Sequence, residues 1–344
     1  MKVWLDVITP KQARLMAAIS SFLNKEYLIT VKGLRESVSL LRDLGVKHKV
    51  VGRYAIGGLK DKLLSYAERV ELLLDTVLEF DPDVLISFSS PEAVRVAFGL
   101  SIKTLTLNDT PHSYHVARLT FPLSWKIVHP EAVPENEMIR LGASKDSLVP
   151  YAGVDEVAWV KDYVLSTSPV NREFKVFIRP EESGASYLLG RRRSIALELV
   201  ETVLEMGAEV IVKPRYESQV EELTRMRAFR DGKLVVLRDA VDTLDLFSKI
   251  SLVITGGGTM AREAALLGTP SISVFPLDVK LHVNEYLRER GFPTWRAKKL
   301  EEAKRLVTDI LRDPDSFVVD TRDMLLALED PRDVIASVLG EIND

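Results

Sequence analysis

Apolar residues along this 344-residue chain alternate between two rhythms: short, almost continuous runs and longer stretches with one apolar face. The runs at 3–8, 27–31, 84–87 and 104–107 read as buried strands. Between them, residues 11–22, 34–44, 60–80 and 91–98 read as amphipathic helices. Gly45 and Gly99 close two of these helices, and Asp81-Pro82 stops the longest. Short strands are predicted at 49–51 and 126–128. The rhythm pauses over 151–169, which reads as a polar, irregular crossing segment. It then restarts with strands at 175–178, 210–213 and 234–237 and helices at 194–206, 217–229 and 243–249. Residues 322–341 read as a final helix. Strand and helix alternating twice over predicts an α/β chain of two doubly wound, Rossmann-type domains facing a central cleft. The expected boundaries are 1–155 for the first domain, 156–172 for a hinge and 173–320 for the second. A C-terminal helix within 321–344 is expected to pack back on the first domain.

The segment at 251–273, SLVITGGGTMAREAALLGTPSIS, is the most informative. It reads as a buried strand, a turn of Gly256, Gly257 and Gly258, a helix from Thr259 to about residue 267, and a second strand. Glycines here let backbone approach a ligand, and the first N–H groups of the helix lack intrahelical partners. Together with the positive helix end they form an anion site, most often for phosphate. Glu263, one turn in, is placed to meet a ribose diol. Arg262 is adjacent, and since neighbouring helix positions point in different directions, Glu263 is expected to be the one facing the ligand. Two further strand exits supply phosphate-binding candidates: Arg179, Ser183 and Ser186 in RPEESGASY, and Lys213 and Arg215 in KPRY. His282 is a weaker candidate near the same segment.

In the first half, NDTPHSYH (108–115) follows a strand and concentrates Asp109, His112, Tyr114 and His115. Asp109 and His112 are the candidates for general base or acid. Two histidines three apart also fit zinc, but no third ligand is evident, so no metal is expected. Asp6 lies in the first strand, Ser89 and Ser90 at a strand exit where a helix cap is the simpler role, and Glu131 after His129-Pro130.

Composition narrows the class. Hydrophobic residues are 46% and charged residues 28%, as in a soluble globular protein. The net charge of −4 gives no footprint for nucleic acid. No apolar run approaches the roughly 20 residues that span a bilayer, and the N-terminus lacks signal-peptide character. A cytoplasmic location is expected, with peripheral membrane contact through Arg191-Arg192-Arg193 left open. The chain has no cysteine, which removes disulfide and thiolate chemistry. Gln occurs only at positions 12 and 219 among many charged residues, a composition that fits a thermophilic source.

GGGTMAREAALLGTPSISV resembles the donor-binding segment of the lipid-linked N-acetylglucosaminyltransferase of peptidoglycan synthesis and of the non-hydrolysing UDP-N-acetylglucosamine 2-epimerases. In that GT-B class the glycine turn meets the diphosphate, and a glutamate at the position of Glu263 holds the ribose. TLNDTPHS, LTFPLSWKIVHPEAVP, RPEESGASYL, the run from VDTLDLFSKI through the glycine turn, and VNEYLRERG make nearly the whole chain similar to a GT-B-like family of unknown function. There are departures. The epimerases' histidine–glutamate–alanine–glycine motif is replaced by NDTPHS, their basic-His-Pro-Arg segment by Lys213-Pro214-Arg215, and the transferase's Gly-Gly-His loop by Ile8-Thr9-Pro10-Lys11-Gln12. The resemblance implies a metal-independent glycosyltransferase with a UDP-sugar as donor, no further cofactor, and a glycan or lipid-linked sugar as acceptor. An epimerase-like enzyme is the first alternative and a non-catalytic nucleotide-sugar-binding protein the second. Sugar, acceptor, base, stereochemistry and oligomeric state stay open.

Overall fold

A computed structural model describes residues 1–55, 57–168, 170–181, 194–238, 241–275 and 277–342. The chain divides into two compact units, 1–159 with 328–344 and 160–327.

The first unit alternates β1 (Lys2–Val7), α1 (Pro10–Leu23), β2 (Glu26–Gly33), α2 (Arg35–Asp43), β3 (Lys49–Arg53), α3 (Leu59–Phe80), β4 (Val84–Ser87), α4 (Pro91–Gly99), β5 (Lys103–Leu107), α5 (Tyr114–Thr120), β6 (Lys126–Pro130), α6 (Glu135–Arg140) and β7 (Leu148–Tyr151). Its seven strands are all parallel, in the order β3-β2-β1-β4-β5-β6-β7. Val3, Leu5 and Val7 of β1 face one core with α1, while Trp4 faces the other with Leu73 and Val77 of α3. This is the period-2 alternation of a sheet covered on both sides. Helix α1 starts at a capping box: Thr9 accepts from the Gln12 N–H, and Gln12 Oε1 accepts from Thr9 N.

Helix α7 (Val157–Ser166) carries the unit boundary. It occupies most of the stretch expected to be irregular. Val157, Ala158 and Val160 are buried along it, within an apolar run too short to show a helical period from the sequence.

The second unit continues with β8 (Glu173–Arg179), α8 (Ile195–Glu205), β9 (Glu209–Val212), α9 (Glu217–Arg225), α10 (Arg227–Arg230), β10 (Leu234–Val236), α11 (Thr243–Ser248), β11 (Ile250–Thr255), α12 (Thr259–Leu266), β12 (Ser271–Ser273), α13 (His282–Glu289), β13 (Thr294–Arg296), α14 (Leu300–Arg312) and α15 (Arg322–Leu326). The parallel order is β10-β9-β8-β11-β12-β13, the doubly wound arrangement of dinucleotide-binding folds. The single helix expected over 322–341 is two: α15 and α16 (Pro331–Gly340), separated by a break before Pro331. Pro331 has no N–H to continue a helix and instead starts α16, with Asp330 as its cap. Ile335, Val338 and Leu339 of α16 lie in the core of the first unit.

Candidate functional site

In each sheet the strand order reverses beside the first strand, between β1 and β4 and between β8 and β11. Sheets of this kind bind ligands beyond the carboxyl ends of the strands at such a switch point. The chemistry at each edge is described separately.

In the second unit the switch point is formed by Arg179-Pro180-Glu181 and by the glycine turn. Gly256 N–H donates to the Arg179 carbonyl (2.9 Å), which continues the β8–β11 ladder into the turn. The three glycines serve three purposes. A Cβ on Gly256 would lie 2.4 Å from Glu181 Cα, so this residue is glycine because the β8 exit crosses it. A Cβ on Gly258 would lie 2.6 Å from Arg262 Nη1 and 3.1 Å from Asn284 Oδ1. Only Gly257 has open space where a side chain would stand. Close approach to a ligand is thus left to one glycine, and intramolecular packing accounts for the other two.

Arg262 changes the expected picture. A helical side chain leans toward the N-terminus of its helix, and the Arg262 guanidinium accordingly lies back over Gly258, the N-cap of α12. It is buried there and donates from Nη1 to Asn284 Oδ1 (3.0 Å). The other half of that amide, Asn284 Nδ2, is buried with no partner among the described residues. Both Arg262 and Glu263 are therefore inside, and the positive charge nearest the glycine turn on α12 belongs to the residue not favoured from the sequence. Glu263 is 2% exposed and accepts from Thr243 Oγ1 of α11 (3.2 Å). Thr259 is the first helical residue and half-buried.

Arg179 is buried and donates from Nη1 to the carbonyls of Lys213 (3.1 Å) and Pro214 (2.9 Å). Arg215 Nε donates to the Pro180 carbonyl (2.9 Å). These two arginines clamp the β8 and β9 exits to each other. They hold the loop edges of the switch point where the sequence placed its phosphate-binding candidates. Lys213 and Arg215 are half-buried. Ser183 and Ser186, with Tyr187 and the Arg191–Arg193 run, lie outside the described residues.

Glu181 was not anticipated. Its carboxylate accepts from the Ser194 hydroxyl and from the backbone N–H of Ile195 (2.9 Å) and Ala196 (3.4 Å). It occupies the N-terminus of α8, where the chain supplies its own anion. The α12 N-terminus carries no side-chain cap.

In the first unit the strand ends carry an ion cluster around Lys11. Its ammonium donates to Asp109 Oδ2 (2.5 Å) and Asp155 Oδ2 (2.7 Å) and sits 4.3 Å from the Phe88 ring centre. The Tyr151 hydroxyl donates to Asp155 Oδ1 (2.7 Å). Asp109, Asp155 and Glu156 are all buried. Burial raises the Asp155 carboxyl above its ordinary range. Lys11 opposes that rise, and the charges of Asp109 and Glu156 add to it. Burial and the same carboxylates hold the Tyr151 hydroxyl well above its usual range. A buried acid group that shares a lysine with other carboxylates has the character of a proton donor or acceptor.

His112, the companion expected for Asp109, is exposed in the turn after Thr110, and His115 is exposed beside Tyr114. Among the described residues no three His, Asp or Glu side chains are grouped to hold a metal ion. Lys11 and Asp155 were missed because they stand 144 residues apart in the chain. The only local trace was Lys11 in the first turn of α1, directly after the β1 exit.

Asp6, Ser89 and Ser90 are tied into the first unit by hydrogen bonds. Asp6 is fully buried and accepts from Arg69 Nη2 (2.6 Å) and Nη1 (3.1 Å) and from Thr30 Oγ1 (2.5 Å). Ser90 caps α4. Ser89 holds the left-handed conformation (φ 52°), strained for a residue other than glycine. Its hydroxyl donates to the Leu107 carbonyl (3.2 Å) and accepts from Asn108 Nδ2 (2.9 Å), which ties the β4 and β5 exits together.

Comparison with known proteins places this geometry in a family. The model of a family described as "Protein of unknown function (DUF354)" matches residues 1–343. An uncharacterized protein of Methanocaldococcus jannaschii, MJ0665, is 27% identical over 350 residues, covering 97% of this chain and 96% of its own. Among solved structures, the UDP-GlcNAc 2-epimerase of Methanocaldococcus jannaschii in complex with UDP-GlcNAc and UDP superposes with a TM-score of 0.69 at 15% identity, over 91% of this chain and 93% of its own. Spinosyn rhamnosyltransferase SpnG superposes with a TM-score of 0.60 at 15% identity, over 99% and 100%. The fold is that of the GT-B enzymes.

Proposed function

The chain belongs to the DUF354 family, and from that premise we propose that it is a glycosyltransferase using a nucleotide-sugar donor, in the first place a UDP-sugar. The observation that carries this reading is the glycine turn at the β8–β11 switch point, with an uncapped helix N-terminus behind it and the Arg262 guanidinium beside it. Structures of the same fold solved with UDP-GlcNAc and UDP support the choice of nucleotide.

In this reading the diphosphate lies against Gly257 and the first N–H groups of α12. Departure of the nucleoside diphosphate builds negative charge on it. Fixed N–H dipoles and Arg262 lower the energy of that charge without reorganising, which is the main source of electrostatic catalysis. Glu263 accepts from the ribose hydroxyls after exchanging its bond from Thr243. Arg179 and Arg215 hold the surrounding loops in place. No metal is required, because the charge on the leaving group is met by protein donors. In the first unit Asp109 takes the proton of the acceptor hydroxyl. Lys11 holds its carboxylate in place by donating to Oδ2, and Asp155 in turn positions Lys11. The acceptor is a hydroxyl of a glycan or a lipid-linked sugar.

A second reading is favoured by the cluster itself. Two buried carboxylates bridged by Lys11 suit epimerisation, which needs a proton removed and a proton delivered at the same sugar carbon. Incubation with UDP-GlcNAc and no acceptor separates the two. A transferase leaves the sugar's configuration at C2 unchanged and releases UDP slowly. Appearance of the 2-epimer would replace our reading with the second. Asp109→Asn is expected to spare nucleotide binding and lower turnover by about a hundredfold or more.

A further inference from the structure

Helix α3 buries polar groups beside its core leucine and valine and also exposes a row of leucines. Its sheet-facing side buries Ser65, Arg69 and Thr76 beside Leu73 and Val77. Its outer side carries Leu59, Leu63, Ala67, Leu74 and Leu78, at steps of four, four, seven and four residues, with Val70 between them partly buried against the core. Those steps keep one face of a helix and match a helix–helix seam. Leu59 is 78% exposed, Leu63 68%, Leu74 39% and Leu78 58%. Phe98, at the end of the neighbouring α4, is 56% exposed. Scattered exposed leucines are ordinary, but a continuous row along a 22-residue helix is an interaction surface.

The charges beside the row identify what covers it. Lys60 flanks it at the N-terminal end, and Glu71, Asp75 and Glu79 follow toward the C-terminal end. This polarity is self-complementary only when a second α3 runs antiparallel. About a two-fold axis, the same flank of both helices meets across the seam, and Lys60 of each copy lies opposite Asp75 of the other. An isologous contact of this kind is the commonest way for identical chains to associate. Exposed carboxylates outnumber exposed lysines on this helix, so an anionic lipid surface is disfavoured. We propose that α3 is the dimerisation element of this protein, pairing antiparallel with α3 of a second copy through the Leu63–Leu74 row.

The test is sedimentation equilibrium of the full chain, with vesicle flotation alongside. The wild type is expected to have twice the chain mass. The double substitution Leu63→Asp and Leu74→Asp changes only exposed positions, and should give a monomer with an unchanged circular dichroism spectrum. Lys60→Glu should raise the dimer dissociation constant by about two- to thirtyfold, two surface ion pairs being lost by symmetry. Adding Asp75→Lys to Lys60→Glu should restore it. A monomeric wild type overturns the proposal, as does a dimer insensitive to the double substitution or one in which Asp75→Lys fails to rescue. Flotation of a monomeric wild type with vesicles of phosphatidylcholine and phosphatidylglycerol would assign the row to a membrane instead.

Discussion

At the scale of single residues, the glycine turn separates ligand chemistry from packing in a way that substitution can read. Gly256→Ala drives a Cβ into Glu181 backbone. It should cost about 1–3 kcal/mol in urea unfolding, the usual penalty for overpacking. Gly257→Ala has open space and should leave unfolding within about 0.5 kcal/mol of wild type, while weakening nucleotide binding. Equal stability loss at both positions would show that the turn is packed alike throughout. The triple glycine was legible from the sequence. Which glycine faces outward was not, because that depends on Glu181 and on Arg262, whose positions follow from tertiary packing. His129 offers a second residue-scale test. Burial holds its imidazole below the ordinary histidine range. Its Nδ1 lies 3.0 Å from the Pro130 carbonyl, and its Nε2 is buried with no partner among the described residues. The unfolded chain then binds the proton first, so this residue's stabilisation is present above about pH 6.5 and is lost as pH falls toward the folded-state value. The Tm difference between wild type and His129→Gln should shrink from pH 7.5 to pH 5.5. A difference independent of pH would contradict the burial of a neutral ring.

At the scale of elements, periodicity found the long helices and buried strands but lost the short ones. The stretch 151–169 read as irregular because its apolar run at 157–160 is too short to show a helical period, yet Val157, Ala158 and Val160 are buried in α7. The helix expected at 322–341 is split because Pro331 starts a helix better than it continues one. Caps also decide what a helix end can bind. Glu181 fills the N-terminus of α8 with a carboxylate, so the open helix end of this switch point is that of α12. Glu181→Gln removes a charge at a helix N-terminus and weakens three hydrogen bonds. It should destabilise the second unit by about 1–2 kcal/mol in urea unfolding, and no change would remove the capping role.

At the scale of the whole molecule, two parallel sheets of doubly wound order were readable from the repeated strand–helix rhythm, because hydrophobic patterning is a local property. The resemblance of the glycine segment to nucleotide-sugar enzymes agrees with the GT-B fold of the solved structures it superposes on. The Lys11 cluster was not readable, since its members come from β1, β5 and β7 exits that only the fold brings together. The first unit is also completed from a distance, by Ile335, Val338 and Leu339. Deleting residues 328–344 should cost it about 5 kcal/mol or more, seen as rapid proteolysis within 1–159. The central claim is that the second unit holds a nucleotide diphosphate at the glycine turn. Calorimetric titration of the purified protein with UDP, GDP, TDP and ADP, without added metal, tests it most directly. Saturable binding of UDP is expected, weakened at least tenfold in Arg262→Ala and in Glu263→Ala with the fold intact. Absence of binding by all four nucleotides, or binding indifferent to both substitutions, would contradict it.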